Sequence, residues 1–127
     1  MNLVDLVALL ALVQLFVFSV LVGRARGRYQ VKAPAVTGHE MFERAYRVQM
    51  NTLEIMVLFV PALYLAARHW SPTYAAIAGA VYLVGRSVYA VAYLRSPDRR
   101  GLGFALSVVP VLVMIIASFI GVLRALA

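Results

Sequence analysis

One segment of the sequence carries four polar side chains at spacings that bring them together on a helix. They are two arginines, an amide and a carboxylate: Arg44, Arg47, Asn51 and Glu54. At about 100° per residue they fall in one stripe about 80° wide. The arginines of such a stripe can bind an anionic ligand, while the carboxylate can receive an ammonium group. An ion-paired seam that only fixes helix packing is the alternative interpretation, and the spacing favours neither.

A second stripe follows further along the chain and combines three tyrosines with an arginine: Tyr82, Arg86, Tyr89 and Tyr93. The same helical period places all four on one face. Hydroxyl and guanidinium groups need hydrogen-bond partners when they are buried, and Glu54 is a candidate partner for Arg86. A tyrosine face that serves packing alone is the competing interpretation.

The two stripes together would form a polar, cationic pocket if they face each other or face a neighbouring subunit. Several arginines around one acid favour an anionic ligand, and a small zwitterion with two carboxylates satisfies both signs of charge. An opening beside lipid would admit a second, apolar substrate. The chain has no cysteine, so any thiol chemistry requires a thiol supplied by a substrate. No metal site is expected from the two histidines, His39 and His69, which are predicted on opposite sides of a membrane.

The composition indicates which elements must position these residues. Of the 127 residues, 64% are hydrophobic and 13% are charged. A soluble domain is about 45–50% apolar, and one this small has too little interior to bury the excess. The chain is therefore predicted to be an integral membrane protein with an all-α fold, a four-helix bundle.

Four apolar runs predict the spans of a single transmembrane domain covering residues 1–127, at about 3–23, 41–67, 73–95 and 101–125. Thr37 and Glu40 fit a capping box at the start of the second helix. Ser71 followed by Pro72 predicts the start of the third helix, and Pro97 its end.

The net charge of +7 is concentrated in two segments. Six of the 12 basic residues lie within 24–47 and four within 86–100. Alternation of basic segments with apolar runs is typical of a positive-inside topology, which explains the charge without a nucleic-acid partner. Both basic segments are therefore predicted on the cytoplasmic side, and the turn at 67–73 and both termini on the opposite side.

The second-helix segment resembles a motif of the membrane-associated proteins in eicosanoid and glutathione metabolism, the MAPEG family. The motif R-x-Q-x-N-x-x-E is carried by Arg47, Gln49, Asn51 and Glu54. A second similarity runs from 81 to 100, and the loop at 24–38 is also similar. This family includes microsomal glutathione transferases and leukotriene C synthase, and its four-helix layout agrees with the predicted spans.

The resemblance implies a homotrimer with one glutathione site per subunit interface, open toward the cytoplasm. It implies glutathione-binding roles for seven residues: Arg26, Arg47, Gln49, Asn51, Glu54, Tyr89 and Tyr93. Within this set, the resemblance implies that Tyr89 and Tyr93 come from the adjacent subunit and that Arg26 reaches a glutathione carboxylate. Ile55 departs from the tyrosine that several eicosanoid-producing members carry after the glutamate, so the sequence gives no reason to expect an eicosanoid substrate.

The resemblance also places Arg100 beside the glutathione sulfur. A free thiol has a pKa of about 8.5, and a neighbouring cation lowers it and favours the nucleophilic thiolate. Arginine stays protonated, so it stabilises charge without acting as a base. Pro97 interrupts the helical extrapolation from Tyr93 to Arg100, which leaves Arg99 as a rival for this role.

The leading functional hypothesis is a membrane glutathione transferase whose thiolate attacks a lipophilic electrophile or reduces a lipid hydroperoxide. A small four-helix multidrug exporter is an alternative, but such exporters carry their key acid in the middle of the first helix. Here that position is near Gln14, and the acid, Asp5, lies at the end. A third hypothesis is a non-catalytic protein that binds membrane lipid or glutathione.

Overall fold

The computed structural model describes all residues, 1–127, and consists of four long helices. These are α1 (Asn2–Tyr29), α2 (Glu40–His69), α3 (Pro72–Arg95) and α4 (Gly101–Leu126), with a short 3₁₀ turn at Pro97–Arg99 before α4. All four are long and apolar enough to cross a membrane, and the chain has no strand. The predicted all-α four-helix membrane fold is confirmed.

The helix ends on the basic side differ from their predicted positions. The basic segment after residue 23 continues α1 to Tyr29, and Gln30 ends the helix in a left-handed conformation with its N–H bonded to the Arg26 carbonyl. The expected cap at Thr37 is wrong, because Gly38 adopts a φ of 142° and turns the chain after Thr37. His39 caps α2 instead, and its Nδ1 accepts from the Met41 N–H.

The remaining helix boundaries follow the sequence signals. Ser71 caps α3 by accepting from the Tyr74 N–H, and Pro72 is the first residue of the helix, as predicted. Helix α3 ends at Arg95, two residues before Pro97. Pro61 and Pro110 lie inside α2 and α4, and both helices continue through them.

The apolar core occupies the half of the bundle near the chain termini. It contains 16 buried residues from all four helices, and Phe59 of α2 stacks on Tyr82 of α3 with ring centroids 3.7 Å apart. Polar side chains with long-range partners concentrate in the other half. The bundle therefore has an apolar half that serves packing and a polar half that can hold a ligand.

Helices α3 and α4 contact each other closely, backbone against backbone. A Cβ on Gly85 would lie 2.6 Å from the carbonyl carbon of Leu106, and a Cβ on Gly103 would clash with the backbone of Tyr89. Only glycine fits at either position, so this contact fixes the start of α4 against Tyr89.

The two basic segments lie at the same end of the bundle. Arg44, near the start of α2, donates to the carbonyls of Leu94 and Arg95 at the end of α3, both at 3.1 Å. At the opposite end, the Tyr64 hydroxyl donates to Asp5 near the N-terminus at 2.8 Å. The predicted grouping of the basic segments against the termini is present in the fold.

Candidate functional site

A cavity of about 490 Å³ opens at the basic end of the bundle, between α2, α3 and α4. Two arginines, an amide, two phenols and an aromatic ring line it: Arg47, Asn51, Tyr89, Tyr93, Arg100 and Phe104. We call this the polar cavity. It brings five of the residues predicted to contact glutathione into one site within a single chain.

The lining residues form three pairs, each with the spacing of one helical turn. Helix α2 supplies Arg47 and Asn51, and α3 supplies Tyr89 and Tyr93, whose rings stack at 5.5 Å. Arg100, directly before α4, and Phe104 in its first turn complete the wall. The close approach of Gly103 to the Tyr89 backbone holds this third pair beside the tyrosines.

The electrostatics of the polar cavity favour an anion. Two guanidinium groups line it and no carboxylate does. The N-terminus of α4 beside Arg100 has no side-chain cap, so the positive end of its helix dipole adds to the same potential. The tyrosine hydroxyls and the Asn51 amide offer further donors. The arrangement can therefore bind a ligand that carries several negative oxygen atoms or an ionised sulfur.

Glu54 lies beside the polar cavity and does not line it. Its Oε1 accepts from Arg47 at 3.0 Å. The Glu54 side chain is 56% exposed and that of Arg47 is 48% exposed. An ionised pair on a membrane-spanning helix is costly when it faces lipid. The carboxylate orients Arg47 and places a negative charge next to the site.

Arg86 lies on the core side of the polar cavity and is fully buried. Its expected pairing with Glu54 is wrong, because Glu54 bonds to Arg47 on the exposed face of α2. The Arg86 guanidinium instead donates to Asn51 Oδ1 at 2.7 Å and to Ser107 Oγ at 2.8 Å. It also lies over the Tyr89 ring, 4.2 Å from the centroid.

Three polar residues that were predicted to belong to the site lie away from the polar cavity. Arg26 donates to the Ala35 carbonyl at 2.7 Å, and Gln49 donates to Ser19 Oγ of α1 at 2.9 Å. Gln49 is two positions after Arg47, which places it about 200° around the helix. Arg44 pairs with Glu40 and bonds to the end of α3. Of the predicted stripe of four, only Arg47 and Asn51 therefore line the polar cavity.

The third-helix tyrosines share their cavity with second-helix residues of the same chain. This differs from the expectation that Tyr89 and Tyr93 reach the site from an adjacent subunit. Of the two rival arginines, Arg100 lines the polar cavity, whereas Arg99 belongs to the 3₁₀ turn before it. Ile55 is buried in the apolar core and does not contribute to the site.

Sequence reasoning missed Phe104 as a wall of the polar cavity and Asn51 as the partner of Arg86. Phe104 follows Arg100 by one helical turn, so the i, i+4 spacing from Arg100 was the available signal. The pairing of Arg86 with Asn51 depends on how α2 and α3 face each other, and no local pattern encodes it.

Comparison with known proteins agrees with this architecture. A sequence model of the MAPEG family matches residues 4–120 of the chain. The chain is 43% identical over 118 residues to an uncharacterised Synechocystis protein, covering 93% of this chain and 86% of the relative. It is 38% identical over 101 residues to human microsomal glutathione S-transferase 2, covering 80% and 69%. It is 41% identical over 102 residues to leukotriene C4 synthase of Cavia porcellus, covering 76% and 68%.

Proposed function

As the chain belongs to the MAPEG family, we propose that it is an integral, multi-pass membrane enzyme that conjugates glutathione to lipophilic substrates. The observation that carries the proposal is the polar cavity, where two arginines and three neutral donors meet without an acid among the lining residues. Glutathione has two carboxylates, one ammonium group and a thiol. The polar cavity and the adjacent carboxylate of Glu54 offer a complement to each of these charges.

The proposed binding contacts follow from the chemistry of the lining groups. Arg47 and Asn51 donate to a glutathione carboxylate, and Glu54 beside them receives the ammonium group. Tyr89 and Tyr93 donate to further oxygen atoms of the peptide. The sulfur then lies toward Arg100, across the cavity from α2.

Arg100 stabilises the glutathione thiolate in this proposal. The thiol releases its proton to solvent, because a permanently charged guanidinium cannot accept it. The positive charge of Arg100 and the N-terminus of α4 lower the free energy of the sulfur anion, so the pKa of the bound thiol falls.

The thiolate attacks the electrophilic carbon of a lipophilic substrate, a carbon–sulfur bond forms, and the leaving group departs with the bonding electron pair. With a lipid hydroperoxide, the thiolate attacks the terminal peroxide oxygen and a second glutathione completes reduction to the alcohol, water and glutathione disulfide. Apolar side chains face outward along the membrane-spanning helices, so a lipophilic electrophile or a lipid hydroperoxide can arrive through the bilayer.

A homotrimer is the proposed assembly. The half-exposed Arg47–Glu54 pair on α2 loses its exposure to lipid if another subunit covers that face. Arg26 and Gln49 lie outside the polar cavity of their own chain, so they reach glutathione only from a neighbouring subunit. The basic end, and with it the active site, is proposed to face the cytoplasm.

Turnover by the purified protein tests the proposed function. We expect glutathione-dependent conjugation of 1-chloro-2,4-dinitrobenzene by protein in lipid nanodiscs, with an Arg47→Ala, Arg100→Ala double variant as control. Saturable glutathione binding without conjugation or hydroperoxide reduction would indicate a non-catalytic binding protein. Absence of both binding and turnover would refute the proposal. The exporter hypothesis has no support in the fold, where Gln14 in the middle of α1 bonds to Leu83 and Ser87 of α3.

A further inference from the structure

Arg86 is a buried arginine without a carboxylate partner. Its residue exposure is 0%, and neither of the two ion pairs in the chain includes it. Buried charges in proteins are normally paired, and an intramembrane cation is expensive to retain. For packing alone, an apolar side chain at this position would cost less free energy than a buried charge. The contacts of Arg86 therefore require an explanation.

The donors of Arg86 are divided between the two helices that flank α3. Nε donates to Ser107 Oγ on α4 at 2.8 Å, and Nη1 donates to Asn51 Oδ1 on α2 at 2.7 Å. Nη1 also lies 3.3 Å from Thr52 Oγ1. The planar guanidinium holds these donors at fixed angles, so a single side chain sets the spacing of α2, α3 and α4 at the floor of the polar cavity.

Two of the residues that Arg86 contacts, Asn51 and Tyr89, line the polar cavity, whereas Arg86 does not. An amide has an acceptor oxygen and a donor nitrogen. Because Arg86 occupies the oxygen of Asn51, the amide is held with Nδ2 as its free group. The cavity wall at this position is therefore a donor and not an acceptor.

We infer that Arg86 is a positioning residue that acts through Asn51: it fixes the amide so that the polar cavity presents an N–H donor to a carboxylate or carbonyl of the ligand. The inference rests on the proposed function, because it assigns a role in glutathione binding. Without Arg86 the amide can rotate, and its oxygen then faces an anionic group of the ligand.

A double-mutant cycle separates this role from a general contribution to packing. The variants are Arg86→Gln, Asn51→Ala and their combination, with the glutathione dissociation constant as the readout and thermal unfolding as a check of folding. Arg86→Gln should weaken binding about tenfold in the wild-type background and leave it nearly unchanged in the Asn51→Ala background. Equal losses in the two backgrounds would overturn the inference.

A variant that keeps Arg86 provides the second test, independent of the tolerance of the bundle for its loss. Asn51→Asp retains a partner for the guanidinium but replaces the donor with an acceptor oxygen. It should weaken glutathione binding more than Asn51→Ala does, because the ligand then meets a carboxylate. Wild-type affinity in Asn51→Asp would overturn the inference. Failure of the wild-type protein to bind glutathione would instead refute the proposed function together with it.

Discussion

Of the two arginines that line the polar cavity, one has an acidic partner and the other has none. Arg47 is paired with Glu54 at 3.0 Å, whereas Arg100 belongs to neither ion pair of the chain. A cation without an acidic partner interacts most strongly with an incoming anion, because no bond must be broken first. At the scale of single residues, Arg47 is therefore suited to binding and Arg100 to stabilising charge that develops on the sulfur.

Replacement of Arg100 should separate chemistry from binding. We expect Arg100→Ala to lower kcat for conjugation about a hundredfold while changing the glutathione dissociation constant little, since the lost charge acts mainly on the sulfur anion. Arg99→Ala is the matched control, because it removes the neighbouring charge outside the polar cavity. Equal kinetic losses in the two variants would contradict the assignment of Arg100.

Replacement of Glu54 should affect binding. Glu54→Gln leaves the size of the side chain unchanged but removes the charge that orients Arg47, and the glutathione dissociation constant should rise about two- to fivefold, the range of a half-exposed ion pair. The control is Glu40→Gln, which removes the other ion pair on the same helix, away from the polar cavity. Unchanged affinity in Glu54→Gln, measured by calorimetry, would argue against a ligand role for this pair.

At the scale of helices, the site depends on the close contact of α3 and α4. Gly85 and Gly103 let the two backbones touch, and that contact places the start of α4 beside Tyr89. The sequence predicted that these helices exist and approximately where they end, because apolar run length and proline positions are local signals. It did not predict the left-handed end of α1 at Gln30 or the cap at His39, which depend on how the loop packs.

A methyl group at Gly103 should disturb both stability and the site. Gly103→Ala places a Cβ against the Tyr89 backbone, and overpacking of this kind costs about 1–3 kcal/mol. We expect a lower thermal unfolding midpoint and weaker glutathione binding. Gly101→Ala is the control, because nothing lies within 4 Å of a Cβ there. If both variants unfold at the wild-type temperature, the α3–α4 contact is not as close as described.

The sequence predicts those features of the site that depend on local spacing, and it does not predict those that depend on tertiary packing. The helical period correctly grouped Arg47 with Asn51 and Tyr89 with Tyr93, because residues one turn apart share a face. The same period places Gln49 on a different face of α2 from Arg47, where it donates to Ser19 of α1, although the motif resemblance grouped it with the ligand residues. Which stripe faces which, and hence the bond between Arg86 and Asn51, is set by tertiary packing alone.

At the scale of the whole molecule, the bundle is polarised along its axis. The basic segments and the polar cavity lie at one end, and the apolar core and both termini lie toward the other. A cluster of positive charge on one side of the spans favours retention of that side in the cytoplasm. We therefore expect the proposed enzyme to meet cytoplasmic glutathione at the end of the bundle where the polar cavity opens.

Cysteine labelling tests this orientation directly, because the chain contains no native cysteine. Single substitutions Lys32→Cys and Ala127→Cys place a thiol on an exposed residue at each end. In intact cells a membrane-impermeant maleimide should label Ala127→Cys only, and in inverted vesicles Lys32→Cys only. Labelling of both from the same side would contradict the antiparallel four-span topology, and the reverse pattern would place the site outside the cytoplasm.

We propose that the polar cavity holds glutathione with its sulfur ionised, and the ultraviolet absorbance of the thiolate measures this ionisation directly. Glutathione is added to detergent-solubilised protein, and the difference spectrum is titrated with pH. We expect bound thiolate at neutral pH, with a titration midpoint well below the value of about 8.5 for a free thiol. Bound glutathione that ionises only in the range of the free thiol would contradict it.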